Sequence, residues 1–581
     1  MKKIAVFIDR DGTINEETGY VDSLDKLRLL PGVTDAIRAL NQNDIPAILI
    51  TNQSGIARGY FTTDFLKALH EKMHRELEKN GCRLDGIYLC PHHPDEGCAC
   101  RKPKPGMLLR AAREKGIVLH NSYVIGDKII DVELAHRVGA KGILVLTGYG
   151  AEELRNNPSL PQIPVGTELN SVPNHVAANL HEAVEWVLKD IRSAGVYPPP
   201  SACDVPLHGQ SSPSHKGRRY GSTGPRRILI VKPSSLGDII HSLPVLWELR
   251  RRYPEAYIGW VVKEVWRDII DDNPLLDEII VLKKGVRGFF SAIRHIHDSG
   301  YDTVIDLQGL FRSGAISLLS GASERIGFSN ARELAYLFYN HKVAVPPGTI
   351  HAVERYLLAI EKLFSSQRPL NPPISPFSKG GLRGIGKKGR LNFPLYTDIE
   401  DFEWVKDFLR ANNLSNTRPI IAVNPSARWE KKRWPISSYG ALINQLIQEL
   451  KAGIIILGGK EDIPLAEEIS SLVSGRPAVA AGKTSLKTLT ALLEWVDLLV
   501  TNDSGPMHIA AALKTPVVAL FGPTNPGLTG PYGDGHIVIR KEIECSPCLR
   551  RPCIHGRPLC MEAITVEEVM ETVKAKLVNS E

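Results

Sequence analysis

Ser193 to Arg227 reads S-A-G-V-Y-P-P-P-S-A-C-D-V-P-L-H-G-Q-S-S-P-S-H-K-G-R-R-Y-G-S-T-G-P-R-R. About half of it is proline, glycine or serine, and very little of it is aliphatic. Such a segment cannot bury enough apolar surface to offset the entropy lost on ordering, so it reads as a tether. As a flexible chain it would reach roughly 30 Å, about one domain diameter. On each side the pattern changes to short apolar runs alternating with amphipathic stretches. The expected organisation is a first domain over 1–188, a linker over 189–225, and a second machine split into 226–364, a loop or linker over 365–392, and 393–581. The 365–392 assignment rests on P-P-I-S-P-F-S-K-G-G-L-R-G-I-G-K-K-G-R.

A chain of 581 residues has room for three or four domains, and its 43% hydrophobic content supports large packed cores. The formal charge of +7 is mild: it suits anionic ligands and does not call for nucleic acid. No segment approaches the ~18 apolar residues that cross a bilayer. The opening M-K-K-I-A-V-F-I-D loses its apolar run at Asp9, too early for a secretory core. The expected location is cytoplasmic, extending to peripheral attachment at the inner face of the cytoplasmic membrane. The nine cysteines are then thiols or metal ligands rather than a disulfide framework.

Before the tether, Ile4-Ala5-Val6-Phe7-Ile8 is a continuous apolar run, the pattern of a parallel strand buried on both faces. It leads straight into Asp9-Arg10-Asp11-Gly12-Thr13. Ile45 to Ile50 predicts a second strand ending at Thr51-Asn52-Gln53-Ser54-Gly55, and Ser122 to Ile125 another ending at Gly126-Asp127-Lys128. Helical patterns over Thr63–Asn80 and Pro105–Lys115 lie between them, the latter with proline at its start and Gly116 after its end. This alternation predicts a doubly wound α/β sheet, whose ligands gather at the carboxyl ends of the strands. All three polar clusters fall at such ends, so one site can receive Asp9, Asp11, Thr51 and Asp127.

That constellation suits phosphoryl transfer. Carboxylates from different strands can hold Mg²⁺ through oxygen while leaving room for a substrate phosphate. One carboxylate can attack phosphorus and a second can exchange protons with the leaving and entering oxygens. Thr51 and Lys102 can steady the transferring group. Each acid alone could merely cap a turn or helix. Three strand ends together favour a site. The run D-x-D-G-T, then Thr, then Lys, then G-D-x-x-x-D resembles the haloacid dehalogenase phosphatase superfamily. The resemblance implies Asp9 as nucleophile, Asp11 as acid/base, and Mg²⁺ held by Asp9, Asp127 and the Asp11 backbone carbonyl.

Cys90-Pro91-His92-His93-Pro94-Asp95-Glu96-Gly97-Cys98-Ala99-Cys100-Arg101-Lys102-Pro103 carries the sharpest local signal. Cys90, His92, Cys98 and Cys100 offer three thiolates and an imidazole, a closed tetrahedral set for structural Zn²⁺, against the alternative of incidental residues on a surface loop. His93 is the weaker candidate. A bound ion would fold a loop lacking a core and set Arg101 and Lys102 over the phosphate. From Asp9 to Tyr149 the chain is similar to the D-glycero-D-manno-heptose 1,7-bisphosphate 7-phosphatases, through D-R-D-G-T-I-N, G-Y-V, T-N-Q-S-G-I-A-R-G-Y, C-P-H-H-P, C-x-C-R-K-P-K-P-G-M and I-G-D-K. The resemblance implies a sugar-phosphate substrate and phosphate- or substrate-side roles for Arg101, Lys102, Lys128 and Asn52. Histidinol-phosphate phosphatases share much of the pattern, zinc loop included, and remain the alternative.

After the tether, Ile228-Leu229-Ile230-Val231 predicts a buried strand, followed by Lys232-Pro233-Ser234-Ser235-Leu236-Gly237-Asp238 and a helix from Ile239 to Arg252. Alternation continues through Tyr257–Val262, Glu278–Leu282 and Thr303–Leu307. It resumes at Ile420–Val423, Gly453–Leu457, Asp497–Val500 and Val517–Phe521. Two such sheets predict a cleft between Rossmann-like halves. Asp238 starts a helix, where it caps or acts on a ligand. Asn424-Pro425-Ser426-Ala427-Arg428-Trp429-Glu430-Lys431-Lys432-Arg433-Trp434-Pro435 is a basic loop suited to a diphosphate. Thr501-Asn502-Asp503-Ser504-Gly505-Pro506-Met507-His508 opens a helix whose free N–H groups form an anion site. No G-K-[ST] accompanies it, which argues against an ATPase.

Residues 226–565 closely resemble the ADP-heptose:lipopolysaccharide heptosyltransferases, inverting enzymes of GT-B fold, through K-P-S-S-L-G-D-I-I-H-S-L-P, N-P-S-A with K-R-W-P, T-N-D-S-G-P-M-H-I-A-A-A-L and A-L-F-G-P-T-N-P. The resemblance implies Asp238 as general base on the acceptor hydroxyl and Lys432 on the ADP diphosphate. It implies Asp503 on the heptose, Ser504 and Gly505 as backbone donors, His508 in the same donor site, and Glu461 on the ribose. The implied partners are ADP-heptose and a lipid A–inner core acceptor at the inner membrane surface. Pro506, where relatives often carry leucine, and the 365–390 insert depart from the pattern. Cys545-x-x-Cys548, Cys553 and Cys560 resemble the tail of the type II members; metal ligands and ordinary reduced thiols both fit. The two resemblances make a bifunctional enzyme of lipopolysaccharide heptose assembly, against the alternative that one half is only a binding scaffold. The intact Asp9, Asp11, Lys102, Asp127 and Asp238 favour two enzymes.

Overall fold

A run with no polar side chain buries both faces only as a central strand of a covered parallel sheet. In the computed structural model, which describes residues 3–156, 172–193, 225–366, 391–548 and 553–578, the first such run becomes β1 (Val6–Ile8), with every residue from Ala5 to Ile8 fully buried. The chain forms two compact units, drawn chiefly from Met1–Gly224 and from Pro225–Glu581.

The first unit holds β1 with β2 (Ala47–Asn52), β3 (Gly86–Cys90), β4 (Tyr123–Gly126), β5 (Lys141–Val145) and β6 (His175–Ala177). Their order is β3-β2-β1-β4-β5-β6, and all pairs are parallel. Helices cover the sheet. In Thr63–Lys79 the Thr62 hydroxyl accepts the Phe65 N–H at 3.1 Å, and Leu66, Leu69, His70, Met73 and Leu77 recur at helical spacing to give the buried face. Gly116 ends the helix Gly106–Lys115 at φ +66, a conformation in which glycine lacks the Cβ penalty.

The second unit contains two sheets. One holds β7 (Arg227–Val231), β8 (Tyr257–Lys263), β9 (Glu278–Leu282), β10 (Thr303–Asp306), β11 (Glu324–Phe328) and β12 (His341–Val343). The other holds β13 (Ile420–Asn424), β14 (Gly453–Ile456), β15 (Ala478–Val479), β16 (Leu498–Asn502), β17 (Val517–Phe521) and β18 (Ile537–Arg540). Their orders are β12-β11-β10-β7-β8-β9 and β15-β14-β13-β16-β17-β18, again wholly parallel. Counted within each sheet, all three orders are 3-2-1-4-5-6, the arrangement of nucleotide-binding sheets. Each therefore has a switch point beside its first strand, and there the polar loops converge.

Several boundaries differ from expectation. The helix Leu180–Ser193 runs past 188, because Ile191 is buried and the Asp190 carboxylate accepts from the Tyr123 hydroxyl at 2.7 Å and pairs with Lys141 at 2.5 Å. The helix Ala352–Ser366 passes the expected boundary at 364. The helix expected from Ile239 begins at Leu236, capped by Ser235. Residues 194–224 of the linker and 367–390 of the second loop lie outside the described residues. Among the described residues, no helix is long and apolar enough to cross a membrane.

Candidate active sites

In the first unit, Asp9 follows β1, Thr51 lies in β2 and Asp127 follows β4. Asp131, in the first turn of the helix Ile129–Arg137, joins them. Asp9, Asp127 and Asp131 are buried, and a carboxylate oxygen from each lies within 4.8 Å of the others. The Lys102 ammonium reaches Asp9 at 2.7 Å and Asp131 at 2.6 Å. Burial works against the Lys102 charge, but Asp131 and Asp9 outweigh it and raise its pKa. Burial pushes Asp9 up to about 7; Lys102 opposes this, while Asp131 and Asp127 add to it. Asp127 is likewise raised by burial to about 6, although the Tyr149 N–H donates to it at 2.9 Å. Asp127 Oδ1 is buried without a hydrogen-bond partner. Crowded, partly unpartnered carboxylates of this kind fit a hard divalent cation.

The other candidates surround this group. Asp11 turns its carboxylate to the Arg10 guanidinium at 2.8 Å, to Asn15 at 3.1 Å and to Gln53 at 2.9 Å, so its side chain is not one of the three gathered carboxylates. Gln53 also donates to the Thr51 hydroxyl at 2.8 Å. Asn52 exchanges hydrogen bonds with the Lys102 backbone, accepting its N–H at 3.1 Å, and so positions that loop. Arg101 keeps one buried guanidinium nitrogen without a hydrogen-bond partner. The Lys128 ammonium lies 4.4 Å from the centre of the Tyr149 ring and 3.6 Å from Glu17. Gly12 is fixed by space as well as by φ +76, since a Cβ there would lie 2.2 Å from Asp127 Oδ2.

The Cys90–Cys100 loop gathers Cys90 Sγ, the His92 ring and the Cys98 and Cys100 sulfurs within 4.8 Å of one another. His92 Nδ1 lies 3.1 Å from Cys100 Sγ and 3.6 Å from Cys90 Sγ. His93 turns to Asp95 at 3.2 Å.

In the second unit, Asp238 lies in the first turn of the helix Leu236–Arg252. Its Oδ2 accepts from the Ser235 N–H at 3.1 Å and hydroxyl at 2.8 Å; its Oδ1 accepts from Tyr356 at 2.9 Å and lies 3.8 Å from Lys232 Nζ. Burial pushes its pKa up, but Lys232, Ser235 and Tyr356 outweigh it and hold the group below the usual carboxylate value. Asp238 is thus both a cap and a charged group. Lys432 pairs with Asp503 at 2.5 Å, and Asp503 also accepts from the Thr524 hydroxyl at 2.7 Å. Ser504, ahead of the helix Gly505–Leu513, accepts at its hydroxyl from Asn424 at 2.7 Å. Glu461 stands on the exposed turn Lys460–Asp462.

The two helix starts meet at His508. A Cβ on Gly237 would lie 2.4 Å from the His508 ring, and one on Gly505 would lie 2.6 Å from Leu236. The His241 ring packs against His508 at 4.3 Å and against His351 at 5.0 Å. Both His241 nitrogens are buried without hydrogen-bond partners. Sequence reasoning assigned no role to Asp131, Lys232, His241, His351 or Tyr356. Asp131, Lys232 and His241 stood within quoted motifs, whereas His351 and Tyr356 have no local signal.

Burial holds His508 down at about 4 against the opposing pull of Asp503 and Asp238, with His351 and Lys432 adding to the depression. His241 is held well below its ordinary value by burial and then by His508, His351 and Lys232. In the unfolded chain these rings titrate near pH 6.5. Between about 6.5 and 4, therefore, the unfolded state takes up protons that the folded state does not. Stability is full above this window and falls as pH is lowered through it, by up to about 1.4 kcal/mol per pH unit for His508. Thermal melts between pH 7 and 5 should show a shallower slope in His508→Asn than in the unmodified chain. Equal slopes would contradict a buried neutral imidazole.

Residues 5–139 match the haloacid dehalogenase-like hydrolase family, and residues 289–557 match glycosyltransferase family 9 (heptosyltransferase). The chain is 49% identical over 153 residues to the D-glycero-beta-D-manno-heptose-1,7-bisphosphate 7-phosphatase of Yersinia pestis, covering 25% of this chain and 81% of that protein. It is 27% identical over 384 residues to lipopolysaccharide heptosyltransferase 1 of Pseudomonas aeruginosa, covering 61% of this chain and 99% of that one. Among solved structures, the family 9 glycosyl transferase of Veillonella parvula matches with a TM-score of 0.51 and 26% identity, over 61% of this chain and 97% of its own.

Proposed function

The chain belongs in its first part to the haloacid dehalogenase-like heptose 1,7-bisphosphate 7-phosphatases and in its second to the glycosyltransferase family 9 heptosyltransferases, and from that premise we propose how its residues carry the two reactions. It is a bifunctional enzyme, hydrolysing a heptose bisphosphate and transferring heptose in lipopolysaccharide assembly. The observation that carries this conclusion is the concentration of charged groups at the carboxyl ends of the strands in two separate units. The direct test is release of inorganic phosphate from heptose 1,7-bisphosphate and release of ADP from ADP-heptose by the same purified chain. The 49% identity to a heptose bisphosphate phosphatase favours that substrate over the histidinol phosphate alternative.

In the phosphatase, an Asp9 oxygen attacks phosphorus to form an aspartyl-phosphate while Asp11 gives its proton to the departing sugar oxygen. Asp11 then takes a proton from the water that hydrolyses the intermediate. Arg101 and Lys102 offset charge on the phosphoryl oxygens, while Thr51 and Gln53 orient it. Asn52 holds the Lys102 loop in place, and Lys128 faces the substrate from the β4 end. Asp9, Asp127 and Asp131 would hold Mg²⁺ with the Asp11 carbonyl. Bound there, the ion supplies Lewis-acid stabilisation of phosphoryl charge.

Cys90, His92, Cys98 and Cys100 form a structural Zn²⁺ site that fixes the loop carrying Arg101 and Lys102. Cys98→Ser removes one ligand of a closed set, so the purified protein should lose one zinc equivalent and the first unit should melt at lower temperature. Unchanged zinc content by elemental analysis would end this assignment.

In the transferase, Asp238 takes the proton from the acceptor hydroxyl as that oxygen attacks the anomeric carbon. Lys432 and the N–H groups at the start of the helix Gly505–Leu513, including those of Ser504 and Gly505, neutralise the departing ADP. Asp503 exchanges its Lys432 partner for the heptose hydroxyls when donor binds, His508 walls the donor site, and Glu461 binds the ribose. The acceptor is the lipid A–inner core, met at the inner membrane surface by peripheral association.

A further inference from the structure

We infer that Cys545, Cys548, Cys553 and Cys560 bind a metal ion, as four thiolates around one soft divalent cation beside the donor site. All four line a single cavity, together with Lys431 and Pro523. Cys545-x-x-Cys548 is a chelating spacing, and four sulfurs complete a tetrahedral set. The described cysteines form no disulfide.

The surrounding chain gives a reason for an ion. Among the described residues between β18 and the short helix Leu559–Glu562, none is buried and none belongs to a helix or strand. Among these described residues only Ile543 packs against the core, so the segment needs another tie, and metal coordination is one that small loops with little core use. The described side-chain ties are polar: the Ser546 hydroxyl donates to the Gly522 carbonyl at 2.6 Å, Arg540 donates to the Ser546 carbonyl at 2.7 Å, the Cys553 thiol donates to the Arg557 carbonyl at 3.1 Å, Lys541 pairs with Glu568 at 2.7 Å, Arg557 pairs with Glu562 at 3.6 Å, and Lys431 Nζ lies 3.8 Å from Cys548 Sγ. Cys560 packs so closely that a Cβ on Gly522 would lie 2.8 Å from its sulfur.

The position bears on the transferase. Lys431 precedes Lys432, and Gly522 lies two residues before Thr524, which donates to Asp503. An ion here would pin both donor-site loops to the tail. The Cys90 group has its ligand atoms within 4.8 Å of one another, whereas no three of the tail sulfurs are gathered so closely, so loading should draw the tail inward.

The test uses the full chain. Cys545→Ser with Cys548→Ser should carry one equivalent less zinc plus iron than the unmodified protein by elemental analysis, and its tail should be cleaved faster by protease. Unchanged metal content would overturn the proposal. Should that variant not fold, the Cys90→Ser/Cys98→Ser chain can be loaded with Co²⁺. One equivalent of sulfur-to-cobalt charge-transfer absorption is expected, and its absence would likewise overturn the tail site. Both readouts are independent of the transferase assignment.

Discussion

Asp9→Asn is expected to reduce heptose bisphosphate hydrolysis by roughly 10³-fold or more while leaving heptosyl transfer at its original rate. The amide is not a useful nucleophile toward phosphorus, and it removes one of three carboxylates proposed to hold Mg²⁺. The change costs little in shape. The Arg10 N–H now donating to Asp9 Oδ1 at 2.8 Å can donate to the amide oxygen, and Lys102 keeps Asp131 at 2.6 Å. Since burial already raises Asp9 to about 7, a neutral side chain should fold as well as the carboxylate, and the melting temperature should stay close to that of the unmodified chain. Assays of phosphate and ADP release on one preparation check both halves of this expectation. Equal loss of both activities would reveal a coupling that the separate sites do not predict.

Asp238→Asn should lose roughly 10²-fold in heptosyl turnover, with ADP-heptose binding nearly intact. The observed cap and the proposed base role fall on the same residue, but they use different properties. The amide oxygen can still accept from Ser235, and the amide N–H can donate to the Tyr356 hydroxyl, which then accepts. Lys232 loses an opposing charge at 3.8 Å. The stability cost should stay near ~1 kcal/mol, the scale of a weakened helix cap. What disappears is the ability to take a proton. The depressed pKa means that the carboxylate is charged at neutral pH, so in the proposed role it takes the proton as the acceptor oxygen attacks, rather than as a strong resting base. Near-normal turnover by the variant, measured by ADP release, would reduce Asp238 to its capping role.

The α/β character was legible because buried parallel strands are continuous apolar runs, as at Ile228–Val231 and Ile420–Val423, and because polar motifs stand where those runs stop. Asp9, Thr51 and Asp127 could be placed at one sheet end on that ground alone. Strand order was not legible, since pairing between β1 and β4 is decided by packing across more than a hundred residues. The same distance hid Tyr356, 118 residues from Asp238. The Asp131 carboxylate stood in a quoted motif yet lies in a helix, where its partnership with Lys102 depends on the fold of the Cys90–Cys100 loop. The His241–His508–His351 group comes from three helical starts that look unrelated in sequence. Leu236 and Gly237 read as loop because their helical character comes from the Ser235–Asp238 capping box rather than from an apolar stripe.

The central claim is that one chain carries two self-sufficient active sites. The first unit has its own parallel sheet and the second has two, each with buried core residues, and the joining residues 194–224 lie outside the described structure. Expressing the chain as two pieces cut within 194–224 and assaying both activities on each piece tests this most directly. The account predicts phosphate release from the first piece only, ADP release from the second only, each at the rate of the full chain. Soluble pieces that lose either activity, while the intact chain keeps both, would contradict it.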